Sequence, residues 1–288
     1  MYQERGYTGS DAVKKCIRFH RSDFYICKES YFVMTQSWAR FTHDGTIRFG
    51  ILDGEQIRVY AGDMFANPKP TNISVQLADV TLLTPTVPSK VVAMWNNFRA
   101  LGEKLHLAIP PEPLYFLKTP NSYLNPGETI RKPACEGKIV FEGELGIVIG
   151  RRCKEVTPAQ ALDYVFGYTC ANDVTHAEIL NRDSSFAQWV RAKGFDTFCP
   201  FGPVVTTGLD PATLVVKTTL NGDVRQEYPV SDMLFSVPEL VSRLSADMTL
   251  LPGDVILCGT SIGVGSMKPG SDVQVEIAGI GILRNRFE

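Results

Sequence analysis

The chain predicts a β-rich α+β fold, and three observations carry that reading. Short runs alternating apolar and polar residues recur along the chain. Asp44-Gly45, Asp53-Gly54 and Asn221-Gly222 stand between such runs, where Asx-Gly pairs close tight hairpins. Helix-start signals are few, and two of them are capping-box sequences placed between strand-like segments.

Taken in order, residues 1–33 do not fit the regular pattern that begins after Met34, an alternative start, and form an extension. Residues 34–85 read as a small β-meander domain: three strands run from Trp38 to Tyr60, and the Pro- and Asn-rich stretch 66–72 reads as a loop. Residues 86–288 form the larger domain, entered through 80–88. Around Gly102 to Pro113 a short helix gives way to a loop, because Ile109-Pro110-Pro111-Glu112-Pro113 removes amide donors. Leu114 to Leu117 and Lys138 to Gly150 are strand-like. The second alternates, with Ile139, Phe141, Leu145, Ile147 and Ile149 on one face and Val140, Glu142, Glu144, Gly146 and Val148 on the other.

Thr157-Pro158-Ala159-Gln160 supplies an N-cap, an N1 proline and a capping-box glutamine, so a helix is expected to about Gly167. Ser236-Val237-Pro238-Glu239 opens another. Leu214 to Leu220 and Val224 to Tyr228 flank Asn221-Gly222 as a hairpin. The end of the chain, Asp272 to Ile277 and Gly281 to Phe287, is again strand-like.

At 288 residues the chain buries a substantial core without a metal or disulfide staple. Lys plus Arg number 29 against 31 for Asp plus Glu, a net charge of −2, so no basic field attracts phosphates, and nucleic acid and membrane are poor partners. Seven scattered cysteines with no C-x-x-C pair suit a reducing, cytoplasmic setting. Apolar stretches such as Leu145 to Gly150 fall far short of the ~20 residues of a membrane span. Charged residues from Arg5 to Arg18 interrupt any signal-peptide centre. No P-loop or H-E-x-x-H motif points to a nucleotidase or zinc protease.

Glu142 and Glu144 lie two residues apart on a predicted strand, so both project from one face with Cα atoms roughly 6–7 Å apart. Such a pair can share one cation, and anions flanked by Ile, Val and Leu need a positive partner if buried. An isolated Glu-x-Glu is ordinarily an exposed strand edge. Asp173 adds to the case because Cys170-Ala171-Asn172-Asp173 ends an apolar stretch before a predicted helix, although an aspartate there also serves as an N-cap.

Phe141-Glu-Gly-Glu-Leu-Gly-Ile-Val-Ile-Gly150, Gly167-Tyr-Thr-Cys-Ala-Asn-Asp-Val174 and Lys193-Gly-Phe-Asp-Thr-Phe-Cys-Pro-Phe-Gly-Pro203 resemble the fumarylacetoacetate hydrolase family. Asn221-Gly-Asp-Val-Arg-Gln226 and Leu251-Pro-Gly-Asp-Val-Ile-Leu-Cys-Gly-Thr260 continue the likeness in order, over roughly 86–288. The meander resembles the N-terminal domain of many members. The resemblance implies a mixed β-sandwich roll, a homodimer, and a small 2-oxo or enolised oxo acid as substrate. It gives Glu142, Glu144 and Asp173 the places of the family's metal-binding carboxylates. Three hard oxygen ligands favour Mg²⁺ or Mn²⁺, with Ca²⁺ compatible. Such a cation stabilises charge on an enolate oxygen as a Lewis acid, which serves C–C hydrolysis, decarboxylation or isomerisation alike.

By the same resemblance Lys193 pairs with substrate oxygen or a ligand carboxylate, Lys118 contacts substrate, and Gly259-Thr260 offers amide and hydroxyl donors to a carboxylate. His176 is assigned a structural role. Hydrolytic members carry a His and a nearby Glu in a lid segment that corresponds here to Trp95 through Lys104. Leu101 takes the histidine position, Glu103 or Lys104 stands near the glutamate, with Glu103 the catalytic candidate, and His106 is the nearest histidine. An aliphatic side chain transfers no proton, so hydrolysis is the chemistry this departure puts in question. A homologue that binds ligands or scaffolds without catalysis is the alternative, and turnover of any oxo acid with Mg²⁺ eliminates it.

Overall fold

Four antiparallel strands open the described part of the chain, residues 35–288 of a computed structural model; the reading of residues 1–33 as an extension lies outside the described residues. They are β1 (Gln36–His43), β2 (Thr46–Asp53), β3 (Gln56–Asp63) and β4 (Ala66–Gln76). The β1–β2 turn closes on Asp44 and Gly45, both at positive φ. The β2–β3 turn closes on Gly54 and Glu55, one residue beyond the Asp-Gly pair, because Asp53 still pairs with Gln56. The stretch expected to be a loop at 66–72 is instead part of β4. Its prolines are accommodated because β4 is the sheet edge and its pairing with β3 shifts register twice.

The meander extends a larger sheet. β1 pairs with Cys199–Thr207, and the order continues through Val165–Asn172, Gly143–Ile149, Val255–Leu257, Val91–Trp95 and Leu114–Lys118. A five-stranded sheet carries Val215–Leu220 and Asp223–Pro229, joined at Asn221-Gly222, beside Ser271–Ile277 and Gly281–Phe287. The large sheet is buried on both sides. Leu145, Ile147 and Ile149 pack in one core with Leu240, Val241 and Leu244 of the helix Val237–Asp247. Val148 packs on the other face with Leu257, Phe116 and Phe201. At roughly 1.5–3 kcal/mol per fully buried aliphatic or aromatic side chain, this two-sided burial holds Gly143–Ile149, and with it Glu144, in place.

Two sequence expectations are corrected. The helix beginning at Pro158 stops at Ala161, followed by a 3-10 turn, and Val165 starts a strand well before Gly167. The capping box of Thr157 and Gln160 forms as expected. Pairing of Val165 with Ile149 in the central sheet overrides the local helix signal. The strand expected over 138–150 divides at Glu142 into Ile139–Phe141 and Gly143–Ile149. The first piece belongs to a separate three-stranded sheet with Thr175–His176 and Gly265–Met267. No helix among the described residues is long and apolar enough to cross a membrane.

Candidate metal centre

The division at Glu142 builds the site. Gly143 pairs with Asn172 in the large sheet and Val140 with Thr175 in the small one, so register carries across the junction and sets Glu142 opposite Asp173. The Asp173 amide donates to the Glu142 carbonyl at 2.9 Å, and the Glu142 amide donates to Asn172 Oδ1 at 3.0 Å. Two acids directly opposite repel unless something positive lies between them. Asp173 is not a helix cap, because the bridging strand Thr175–His176 separates it from the short helix Ala177–Leu180.

Glu142, Glu144 and Asp173 each bring one carboxylate oxygen to within 4.8 Å of the others. Glu144 and Asp173 are 0% exposed, and the Glu142 side chain keeps 14%. Lys193 Nζ donates to Glu142 Oε2 at 2.8 Å and to Asp173 Oδ2 at 2.6 Å. Lys118 Nζ stands 2.7 Å from Asp173 Oδ1 and donates to the Val174 carbonyl at 3.1 Å. Burial works against the Lys193 charge, yet Asp173, Glu142 and Glu144 outweigh it and push its pKa up. Burial likewise raises Asp173, but the two lysines outweigh it and hold that carboxyl below its ordinary value.

Three carboxylates against two ammonium groups leave one negative charge uncompensated, and it falls on Glu144. Its Oε2 accepts the Gly259 amide at 2.7 Å, whereas the buried Oε1 has no hydrogen-bond partner. An orphaned, buried carboxylate oxygen facing two further acids fits a hard divalent cation. Glu142, Glu144 and Asp173 are the residues that would hold it. The lysines do not exhaust Asp173, because a carboxylate offers about four lone-pair sites.

Burial first, then the charges of Asp173 and Glu142, push the Glu144 carboxyl well above its ordinary range, against Lys193 and the Gly259 amide. The folded chain therefore holds this proton more tightly than the unfolded chain. The stability it contributes is complete below the ordinary glutamate value of 4.5 and is lost as pH rises through the folded value. In chelator, wild type is expected to lose stability relative to Glu144→Gln as pH is raised above 4.5, and Mg²⁺ is expected to remove that slope. Urea unfolding across pH, with EDTA and with Mg²⁺, measures it, and parallel profiles for the two proteins would contradict it.

Two glycines are required by geometry. Gly143 separates the two glutamates, and a Cβ there would meet Thr218 Oγ1 at 2.0 Å. Gly259 has φ +87°, which turns its amide onto Glu144. Thr260 donates to the Gly143 carbonyl at 3.0 Å and accepts from Gln226 Nε2 at 2.8 Å, while Gln226 Oε1 accepts the Gly143 amide at 3.0 Å.

A cavity of about 290 Å³ opens on Glu142 and is lined also by Trp95, Leu101, Lys104, Leu105 and Thr260, while Glu144 and Asp173 are buried outside its wall. Two roomier clefts, of about 380 and 390 Å³, are lined by none of the three acids. Of the residues singled out in the sequence, Thr260 reaches this cavity and the Gly259 amide reaches Glu144. Lys193 binds the ligand carboxylates. Lys118 is buried behind Asp173 and outside the cavity wall, and Glu103 is exposed and also outside it. His106 is exposed at positive φ, outside the wall too. His176 is buried beside Phe195, with ring centroids 5.9 Å apart.

Sequence reasoning preferred Glu103 to Lys104 in the lid segment and missed the roles of Trp95, Gln226 and Tyr228. Helical spacing was the available signal for Lys104, since positions 101, 104 and 105 share a face of the helix α1 (Arg99–Lys104) and its C-cap, and 103 does not. Strand alternation was the signal for Gln226 and Tyr228, both buried, the latter donating to the Gly143 carbonyl.

Residues 90–288 match the family model described as fumarylacetoacetate (FAA) hydrolase C-terminal, and residues 37–85 match one described as Rv2993c-like, N-terminal. Protein Rv2993c of Mycobacterium tuberculosis is 43% identical over 249 residues, 83% of this chain and 93% of that protein. The mitochondrial oxaloacetate tautomerase FAHD1 of Arabidopsis thaliana is 39% identical over 195 residues, 67% of this chain and 87% of its own. The crystal structure of 2-hydroxyhepta-2,4-diene-1,7-dioate isomerase from Mycobacterium marinum superposes with a TM-score of 0.81 at 41% identity, covering 88% of this chain and 98% of that one.

Proposed function

This chain belongs to the fumarylacetoacetate hydrolase family, and from that premise we propose that it is a divalent-metal-dependent enzyme of small 2-oxo or enolised oxo acids, working by isomerisation or decarboxylation rather than by hydrolysis. Relatives of the chain include isomerases, hydrolases and decarboxylases. The observation that carries the proposal is the convergence of Glu142, Glu144 and Asp173, with Glu144 Oε1 left without a partner, beside a cavity that Glu142 lines and that is sized for a small acid.

A bound divalent cation would supply positive charge to the oxygen on which an enolate develops. The remaining work falls to the chain. Lys193 holds Glu142 and Asp173 side by side against their repulsion, and the Gly259 amide anchors the Glu144 carboxylate through Oε2, leaving Oε1 without a partner. Gln226 and the Gly143 carbonyl fix the Thr260 hydroxyl at the cavity wall, where its second lone pair can accept a proton donor on the substrate.

The preference among reactions rests on the wall formed by the lid segment. Leu101 and Leu105 line it, and neither aliphatic side chain can take a proton from a water molecule placed against it. Isomerisation moves a proton of the substrate itself, and decarboxylation expels CO2 and protonates the enolate left behind, so neither requires an activated water. A panel of acylpyruvates, oxaloacetate and hydroxymuconate-type acids, followed by ultraviolet absorbance with Mg²⁺ and with chelator, tests the proposal. Chelator-sensitive turnover of at least one acid is expected, and no turnover of any would overturn it. Leu101→His is further expected to raise acylpyruvate hydrolysis relative to oxaloacetate decarboxylation, by about 100-fold if the imidazole acts as a general base. An unchanged product ratio would place the base elsewhere.

A further inference from the structure

Asn97 is buried, and its side-chain amide is committed to two backbone groups. Its Oδ1 accepts the Phe235 amide at 3.0 Å, and its Nδ2 donates to the Cys258 carbonyl at 2.8 Å. Only one orientation satisfies both partners, because the Phe235 amide offers a hydrogen and the Cys258 carbonyl needs one. The Asn97 carbonyl accepts the Leu234 amide at 2.7 Å, so main chain and side chain are both tied to the segment that leads into the helix Val237–Asp247. Held from that side, Asn97 presents Nδ2 at a fixed place.

The Cys258 carbonyl that Nδ2 holds and the Gly259 amide that anchors Glu144 Oε2 at 2.7 Å are the two ends of one peptide group. That group is planar, so its oxygen and hydrogen turn together. Glycine at 259, with φ +87° and no Cβ, sets little resistance to the turn. Pinning the oxygen therefore aims the hydrogen. A hydrogen bond accepted by the carbonyl also polarises the group and strengthens its N–H as a donor. Phe98, next in the chain and buried, meets the Tyr228 ring edge-on with centroids 4.9 Å apart, and Tyr228 donates to the Gly143 carbonyl, in the peptide that precedes Glu144. Residues 97 and 98 thus act on Glu144 by two routes. Resting on the metal-dependent function proposed above, we infer that Asn97 is a positioning residue for the cation site. Through the Cys258–Gly259 peptide it aims the amide that holds Glu144 Oε2, and so fixes the carboxylate whose Oε1 is left for the ion. Asn97 does not line the cavity, so it acts through this peptide rather than on substrate.

Hydrogen exchange of the full chain in chelator, followed by NMR amide by amide, tests this relay without metal. The Cys258 amide is the internal reference, because it belongs to the preceding peptide and donates to the Leu145 carbonyl at 3.0 Å. Asn97→Leu, which keeps much of the shape and loses both side-chain bonds, is expected to speed Gly259 exchange about fivefold relative to Cys258, the equivalent of one hydrogen bond. Asn97→Asp, ionised at pH 8, keeps the acceptor for Phe235 and loses the donor, and is expected to do the same. A residue that only holds the fold together speeds both amides alike. Calorimetric titration of Mg²⁺ gives the second readout. Asn97→Leu is expected to weaken binding about tenfold, the low end for a group that orients a metal ligand. Ser245→Ala, a buried control whose hydroxyl accepts the Val156 amide, is expected to leave affinity within about twofold. Asn97→Ser, equally without reach to Cys258, takes the place of Asn97→Leu in both measurements if the leucine does not fold. Equal acceleration of the two amides, or unchanged Mg²⁺ affinity in the variant, overturns the role of Asn97 and leaves the proposed function standing. Wild type that binds no Mg²⁺ overturns the metal-dependent reading itself, and the role of Asn97 with it.

Discussion

Glu144→Gln is expected to lower metal-dependent turnover by at least about 100-fold while leaving the chain folded. Loss of a group that merely orients a metal ligand typically costs about 10–100-fold in affinity or activity, and a ligand that supplies an otherwise orphaned oxygen costs no less. The substitution is conservative where folding is concerned. The glutamine oxygen can still accept the Gly259 amide now bound by Oε2, so no buried donor is stranded. It also removes the one negative charge that two lysines do not balance. Without metal, the variant is therefore expected to be at least as stable as wild type at pH 8, by thermal unfolding in EDTA. Full turnover in the variant, or a collapse of its stability, would deny Glu144 its place in the site.

Lys193→Met is expected to cost about 3 kcal/mol in chelator, or roughly 6–12 °C in Tm, because breaking a buried pair leaves the opposing charges uncompensated. Methionine matches much of the lysine stem and keeps its packing near Phe116, whose ring centroid lies 5.0 Å from Nζ, so the loss reports on charge more than on volume. Of the two acids that share this ammonium, Asp173 then keeps Lys118 and Glu142 keeps only the Thr175 hydroxyl, which donates to its Oε1 at 2.6 Å. Adding Glu142→Gln to Lys193→Met is expected to restore part of the stability, since one of the opposed acids is gone. The sign of this coupling is the informative quantity: additive or worsening effects would mean that Lys193 does not hold these two acids together.

Much of this arrangement could be read in the residues, for identifiable reasons. The hairpin at Asn221-Gly222 and the capping box at Ser236 depend on local backbone chemistry, and each produces its element, whereas the capping box at Thr157 starts a helix that ends after four residues. The break at Glu142 has no local signal. It arises because one strand is shared between two sheets, and only the pairing of Val140 with Thr175 and of Gly143 with Asn172 reveals it. The strand at Ala66–Gln76 was hidden by its prolines, which an edge tolerates and a central strand would not. Lys118 illustrates another limit. Its strand alternates, with Phe116 and Lys118 buried and Leu117 exposed, but that a lysine can turn inward depends on Asp173, 55 residues onward, being there to receive it.

The three acids themselves were legible through ordered motifs, and their convergence was not. Glu-x-Glu in a strand-like run suggests two carboxylates on one face, but Glu142 stands at the junction of two sheets and only Glu144 within a strand. The third is brought by antiparallel register, a property of the folded sheet. The direct measurement is calorimetric titration of Mg²⁺ or Mn²⁺ into chelator-stripped wild type and Glu144→Gln. One ion bound per chain by wild type, with affinity falling at least about 100-fold in the variant, is the expected result. Equal affinity in both proteins, or no saturable binding by wild type, would mean that Glu142, Glu144 and Asp173 do not share a cation.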